Sequence, residues 1–153
     1  MSKKIAVFPG SFSPFTKGHQ SIVLRALPLF DEIIISVGIN STKNEYFSIE
    51  ERVQWIEAVF AKEKNVRVMK YEGLTIDHCM TEKANYILRG LRDSHDFKYE
   101  KGIAQMNHSM KKNIETIFII TEPEYSHISS TIVRDVIKNG GDVSQFVPKE
   151  INL

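Results

Sequence analysis

Ile5-Ala6-Val7-Phe8-Pro9-Gly10-Ser11-Phe12-Ser13-Pro14-Phe15-Thr16-Lys17-Gly18-His19 opens the pattern that decides the fold. Ile5 to Phe8 has the length and apolar character of a buried strand. The glycine- and hydroxyl-rich segment that follows leads into Ile22, Val23, Ala26, Leu27 and Phe30, one apolar face at helical spacing. Glu32-Ile33-Ile34-Ile35-Ser36-Val37 is then a second buried strand. A strand, a helix and a strand in this order make a right-handed crossover between parallel neighbours.

Outward from this unit, Val66 to Met69, Tyr86 to Leu88 and Ile114 to Ile120 read as three further strands. Ile49, Val53, Ile56 and Phe60 make a helical face, with Ser48 and Glu51 as a capping box at its start. Tyr99, Ile103, Met106 and Met110 repeat that spacing and read first as a core stripe. One side of that helix is left open to a ligand arm or another subunit. Ile132, Val133, Val136 and Ile137 give a last face, stopped by Gly140-Gly141. Five strands alternating with helices predict an α/β, doubly wound parallel sheet with helices on both faces. No repeat or linker divides the 153 residues, which predicts a single domain over 1–153.

Twenty Lys and Arg against nineteen Asp and Glu leave a net charge of +1, which argues against a dedicated nucleic-acid binder. No apolar run approaches the roughly 18 residues of a membrane span. Ile5 to Pro9 is too short for a signal-peptide core, so a cytoplasmic protein is expected. The single cysteine, Cys79, excludes an internal disulfide or a cysteine zinc cluster, and its helical context reads as core. His78, His95, His108 and His127 show no paired spacing for zinc and are expected on the surface or at helix caps.

In doubly wound sheets ligands bind beyond the carboxyl ends of the strands. After the first strand come glycines, hydroxyls and a helix start at which His19 sits, a combination suited to phosphate. Neither G-x-x-x-x-G-K-[ST] nor G-x-G-x-x-G occurs. After the second lies Asn40-Ser41-Thr42-Lys43-Asn44, with Lys43 either a solvated lysine or a countercharge. After the fourth lies Arg89-Gly90-Leu91-Arg92-Asp93, whose arginines suit anions but have Asp93, Asp96 and Glu100 as alternative partners. After the fifth, Ser126-His127-Ile128-Ser129-Ser130-Thr131 opens the last helix with more hydroxyls than one N-cap needs. Four strand ends with phosphate-compatible groups point jointly to a nucleotide or phosphate site.

Phe8 to His19, Arg89-Gly90-Leu91-Arg92 and Ile128-Ser129-Ser130-Thr131-Ile132-Val133-Arg134 closely resemble the bacterial phosphopantetheine adenylyltransferases. The similarity extends through Phe47-Ser48-Ile49-Glu50-Glu51-Arg52 and Asp96-Phe97-Lys98-Tyr99-Glu100 to essentially the whole chain. T-x-G-H with I-S-S-T-x-x-R marks the wider nucleotidyltransferase superfamily, and R-G-L-R narrows it. The resemblance implies a Rossmann-like five-stranded sheet of strand order 3-2-1-4-5 and transfer of AMP from ATP to 4′-phosphopantetheine, giving dephospho-coenzyme A and pyrophosphate. It also implies a magnesium requirement, assembly as a hexamer and coenzyme A as a feedback ligand.

Carried over by position, His19 stabilises the transition state, with Ser11, Lys43 and Arg92 also catalytic. Ser11, Phe12, His19, Gly90, Leu91, Arg92 and Glu100 contact ATP, together with Tyr125, Ser126, His127, Ile128, Ser129, Ser130 and Thr131. Ser11, Lys43, Thr75 and Arg89 contact the pantetheine substrate, and no residue is named for a metal. The chain departs from the family pattern at Ser11 (commonly Thr), at Ser13 (commonly Asp) and at Thr75, often a larger apolar residue. Tyr125 and His127 replace other aromatic residues. A nicotinamide mononucleotide or glycerol phosphate acceptor, or a domain that binds nucleotide without catalysis, are the competing readings.

Overall fold

The computed structural model describes residues 2–42 and 44–153, so Lys43 lies outside the described residues. Five parallel strands lie in the order β3-β2-β1-β4-β5: β1 Ile5–Gly10, β2 Glu32–Gly38, β3 Val66–Tyr71, β4 Tyr86–Leu91 and β5 Glu115–Ile120. The order reverses between β1, which pairs with β2 from Ile5↔Glu32 to Gly10↔Val37, and β4, which pairs with β1 at Ala6↔Tyr86. Helices α1 (Lys17–Ala26), α2 (Ile49–Val59), α3 (Thr75–Thr81), α4 (Ser94–Met110) and α5 (Ser130–Lys138) alternate with the strands.

Alternation along the strands divides the core. Ala6, Phe8, Ile33, Ile35, Val37 and Leu88 meet Ile22, Val23 and Ala26 of α1, Ile56 of α2 and Val133 of α5 on one face. Val7, Ile34 and Ile87 meet Ile76 and Cys79 of α3 and Ile114 on the other. The predicted architecture and strand order are therefore those of the protein. Cys79 is buried as expected, and burial pushes its thiol up to about 12.

Local chemistry sets the helix ends. Ser48 accepts the Glu51 amide at 3.1 Å and donates its own amide to the Glu51 carboxylate at 2.9 Å, the predicted capping box. Beyond α5, Gly140 takes φ +77°, and the Gly141 amide closes on the Val136 carbonyl at 2.9 Å. That left-handed position is where glycine is favoured.

Four expectations need correction. The strands run past the apolar runs, so Pro9-Gly10 belongs to β1, and Arg89, Gly90 and Leu91 belong to β4, in register with Phe118 to Ile120. Ladder pairing carries these residues beyond the apolar run. The sequence offers apolar faces for four helices only, and α3 adds a fifth that, with seven residues, is too short to repeat one. His78 is 8% exposed, neither surface nor cap, because its ring stacks on Tyr71 and its Nε2 lies 2.8 Å from the Ser36 hydroxyl. Burial holds its pKa below the usual histidine value.

The fourth concerns α4. Tyr99 is 70% and Met106 64% exposed, with Ile103 and Met110 also exposed, so the stripe is not core. The helix instead turns Asp96, Glu100, Ala104 and Asn107 inward. Among the described residues no helix is long and apolar enough to cross a membrane.

Candidate active site

Two cavities open at the carboxyl ends of the strands. One, of about 410 Å³, is lined by the β1–α1 loop, the start of α1, Gly90, Arg92, Asp96 and Tyr125 to Thr131 in part, with Arg134. The other, of about 330 Å³, is lined by Gly38, Ile39, Asn40, Tyr71, Thr75 and, from α4, Ala104 and Asn107 of the inward face with Ile103 at its border. Both are bounded by Pro9, Gly10, Ser11, Arg89 and Glu100, so the two volumes share one seam. The seam lies where the strand order reverses, the place such sheets reserve for ligands.

His19 is fixed by its own helix cap. Thr16 is the N-cap of α1; its hydroxyl oxygen accepts the His19 amide at 3.3 Å, and its amide donates to His19 Nδ1 at 3.0 Å. Histidine here takes the part that Glu or Gln plays in the usual capping box. Because Nδ1 accepts, the neutral ring carries its proton on Nε2. Phe8, Phe12 and Phe15 surround the ring, with the last two centroids 5.1 and 5.3 Å away. Burial, reinforced by the charges of Arg89 and Arg92, pushes the pKa down to about 3. The ring keeps one edge on the larger cavity, so His19 is a neutral, pre-aimed N–H donor.

Phe12 occupies φ +48°, a strained region for a bulky residue. Gly10 permits it, since a Cβ there would stand 2.8 Å from the Phe12 ring. The Phe12 amide has no acceptor among the described residues, leaving a donor beside the Ser11 hydroxyl.

The arginines are held in ion pairs, the alternative the sequence left open. Arg89 grips Glu100 through Nε at 3.0 Å and Nη2 at 2.5 Å, and donates from Nη1 to the Pro9 carbonyl at 2.6 Å. Arg92 closes on Asp96 at 3.0 Å. Three of the five guanidinium N–H groups of Arg89 are thus used, and the side chain borders both cavities at the seam. The Ser129 hydroxyl is the N-cap of α5, accepting the Ile132 amide at 3.1 Å, while Ser130 donates to the Pro14 carbonyl at 2.8 Å. Only one of the three hydroxyls is therefore spent as a cap.

Of the residues expected from sequence, Ser11, Phe12, His19, Gly90, Arg92, Glu100, Tyr125, Ile128, Ser129, Ser130 and Thr131 line the larger cavity, and Thr75 the smaller. Leu91, Ser126 and His127 line neither, and Lys43 lies outside the described residues. Arg134, at the end of the I-S-S-T-x-x-R motif, also lines the larger cavity and donates to the Ser13 carbonyl at 2.5 Å. Tyr71 and Asn107 were missed; they come from an edge strand and from an i+7 position below Glu100, and nothing local marks them.

The Cytidylyltransferase-like family model matches residues 7–136. A phosphopantetheine adenylyltransferase of Flavobacterium psychrophilum is 53% identical over 148 residues, 97% of each chain. Those of Cytophaga hutchinsonii and Leptospira biflexa are 49% and 51% identical, covering 97% and 95% of this chain and 99% and 91% of theirs. Among solved structures, a bifunctional NMN adenylyltransferase/ADP ribose pyrophosphatase from Francisella tularensis superposes with a TM-score of 0.74 at 21% identity. It matches 95% of this chain, which spans 45% of that longer one, and it speaks for the fold alone. With half its residues identical to those of the curated relatives over nearly their full length, the chain belongs to the phosphopantetheine adenylyltransferase family.

Proposed function

We propose that residues 1–153 form one adenylyltransferase domain that moves AMP from ATP to 4′-phosphopantetheine, giving dephospho-coenzyme A and pyrophosphate. The observation that carries this reading is the pair of cavities meeting at Pro9, Gly10, Ser11, Arg89 and Glu100. ATP takes the larger, with its hydroxyl-rich helix start, and the acceptor the smaller.

The acceptor is a phosphate monoester with a second pKa near 6, so at neutral pH it needs no general base. Its oxygen attacks the α-phosphorus of ATP, the bond from that phosphorus to the bridging oxygen breaks, and pyrophosphate leaves in line. The protein must align two anions and supply donors to the charge at phosphorus. Arg89, with Lys43, brings in the acceptor phosphate. The Ser11 hydroxyl, the Phe12 amide and His19 Nε2–H face the α-phosphate. Arg92, Arg134 and the N-terminus of α5 hold the leaving phosphates.

Magnesium, when bound, withdraws charge from those phosphates. The carboxylates bordering the larger cavity, Asp96 and Glu100, are already paired with arginine. Among the described residues no group of three His, Cys, Asp or Glu is placed for a metal. This donor set fits an ion carried on phosphate oxygens and water, the coordination magnesium accepts.

The exposed Tyr99 and Met106 supply a face for assembly into a hexamer, coenzyme A acts as a feedback ligand, and the protein works in the cytoplasm. Pyrophosphate release from ATP tests the reading: it should require 4′-phosphopantetheine and fail with nicotinamide mononucleotide. Release with the latter acceptor, or with neither, refutes it. Sedimentation of Met106→Glu tests assembly, which should be lost.

A further inference from the structure

The Phe47-Ser48-Ile49-Glu50-Glu51-Arg52 segment has no part in the chemistry above, yet Arg52 is the most unusual residue of the core. It stands in the first turns of α2, 1% exposed, and lines neither cavity. Its guanidinium is shared among three segments. Nη1 donates to the Ser11 carbonyl at 2.6 Å and to the Gly38 carbonyl at 3.4 Å. Nε donates to the Ser48 carbonyl at 3.3 Å, and Nη2 pairs with the Glu45 carboxylate. The other carboxylate oxygen of Glu45 accepts the Asn40 amide at 3.3 Å. The Ser48–Glu51 capping box fixes the start of α2 and so aims Arg52 at the strand ends.

A buried charge with one carboxylate partner is seldom retained for stability, since apolar replacement of such pairs is often neutral or favourable. What the guanidinium does here that an apolar side chain cannot is hold two main-chain carbonyls from different strand ends. In a trans peptide the carbonyl and the next amide point oppositely. Gripping the Ser11 carbonyl from inside the fold therefore turns the Phe12 amide the other way. That amide has no acceptor among the described residues, and Phe12 beside it holds the strained φ of +48°. Through Gly38 and Asn40 the same clamp reaches the wall of the acceptor cavity.

We propose that Arg52, neutralised by Glu45, is a positioning residue for adenylyl transfer: it sets the Ser11–Phe12 peptide at the seam and fixes the end of β2 relative to it. Arg52 touches no substrate; it acts through the donors of its neighbours. The proposal rests on the transfer reaction proposed above and names one more residue on which its rate depends.

The test compares wild type with Arg52→Met/Glu45→Gln and with Arg52→Lys. The double variant removes charge and countercharge together, so the fold is expected to keep its melting temperature within a few degrees. A misplacement of about 1 Å at the reacting groups costs on the order of 10²-fold in rate, and kcat should fall by that factor. The dissociation constant for ATP, measured by calorimetric titration, should stay within about threefold, because Arg92, Arg134 and the α5 terminus are untouched. Arg52→Lys keeps the charge but cannot span both carbonyls, and should give an intermediate kcat. It carries the test alone if the double variant does not fold. A folded variant with wild-type kcat, or a kcat that falls only in step with melting temperature and ATP affinity, overturns the assignment. Wild-type protein that releases no pyrophosphate overturns the underlying reaction instead, an outcome distinguishable from the first.

Discussion

Replacing His19 separates two duties that one ring performs. Its Nδ1 accepts the Thr16 amide and completes the cap of α1, while Nε2–H faces the larger cavity. His19→Ala removes both. Loss of the cap contact should destabilise the fold by about 0.5–2 kcal/mol, and loss of a transition-state donor should lower kcat by 10²–10³-fold, on the order seen for an oxyanion-hole donor. His19→Gln should keep the melting temperature, because Gln at this position closes a capping box. Its amide cannot reproduce the aim of a ring held among three phenylalanines, so most of the rate loss should persist.

The protonation state gives a second handle. In the free enzyme the pKa lies near 3, so the ring is neutral from pH 5 to 8. The acceptor phosphate itself titrates near 6, and the ratio of wild-type to His19→Gln kcat/KM cancels that ionisation. This ratio should be flat over pH 5–8, and the His19 Nδ1 resonance should stay that of an unprotonated nitrogen. A ratio that falls with a midpoint near 6.5 would mean that the donor titrates as an ordinary histidine, which refutes the burial argument. The folded pKa lies below the unfolded value, so the stabilisation from a neutral His19 is complete above pH 6.5. It is lost as pH falls toward 3, by at most about 1.4 kcal/mol per unit, less what the open edge of the ring concedes to solvent.

Three further substitutions probe particular contacts. Arg89→Ala should weaken 4′-phosphopantetheine about 10- to 100-fold, the worth of a charged hydrogen bond or two, with ATP changed less than about threefold; equal weakening in calorimetric titration would end that division of labour. The same substitution strands the 8%-exposed Glu100 and should cost about 1–3 kcal/mol in urea unfolding, less than a fully buried pair because Arg89 borders solvent. Gly10→Ala sets a Cβ 2.8 Å from a Phe12 ring that Phe8, Phe15 and His19 hem in, and should lose about 1–3 kcal/mol together with activity; an unaltered melting curve would show that Phe12 can yield. Ser36→Ala leaves the buried His78 Nε2 unpartnered and should cost about 1–2 kcal/mol at pH 7.5, with a loss under about 0.3 kcal/mol telling against the hydrogen bond.

The strands were legible because a parallel sheet covered on both faces demands unbroken apolar runs, and β1 and β2 are such runs. What extended them, the ladder pairing of Pro9-Gly10 and of Arg89 to Leu91, is a property of partners and leaves no local trace. Periodicity found the α4 stripe but not its direction. An apolar face says that something covers it, and the hydrogen-bonding needs of the cavity had already claimed the side bearing Asp96, Glu100 and Asn107. The lining of the cavities was legible at Ser11, His19, Arg89 and Ser129 to Thr131, which the fold brings together at the strand ends.

Arg52 shows the opposite limit. In the sequence it is one more basic residue on an amphipathic helix, preceded by a capping box that explains itself. Its role arises only when three chain segments converge on one guanidinium, none of which is its neighbour on the apolar face. Residues that touch phosphate must be of a few types and so declare themselves, whereas residues that aim the main chain act through carbonyls every residue possesses. The residues that line the cavities were therefore readable in advance, and the Arg52–Glu45 pair behind them was not. A substitution there should leave the cavities lined as before and the reaction slow.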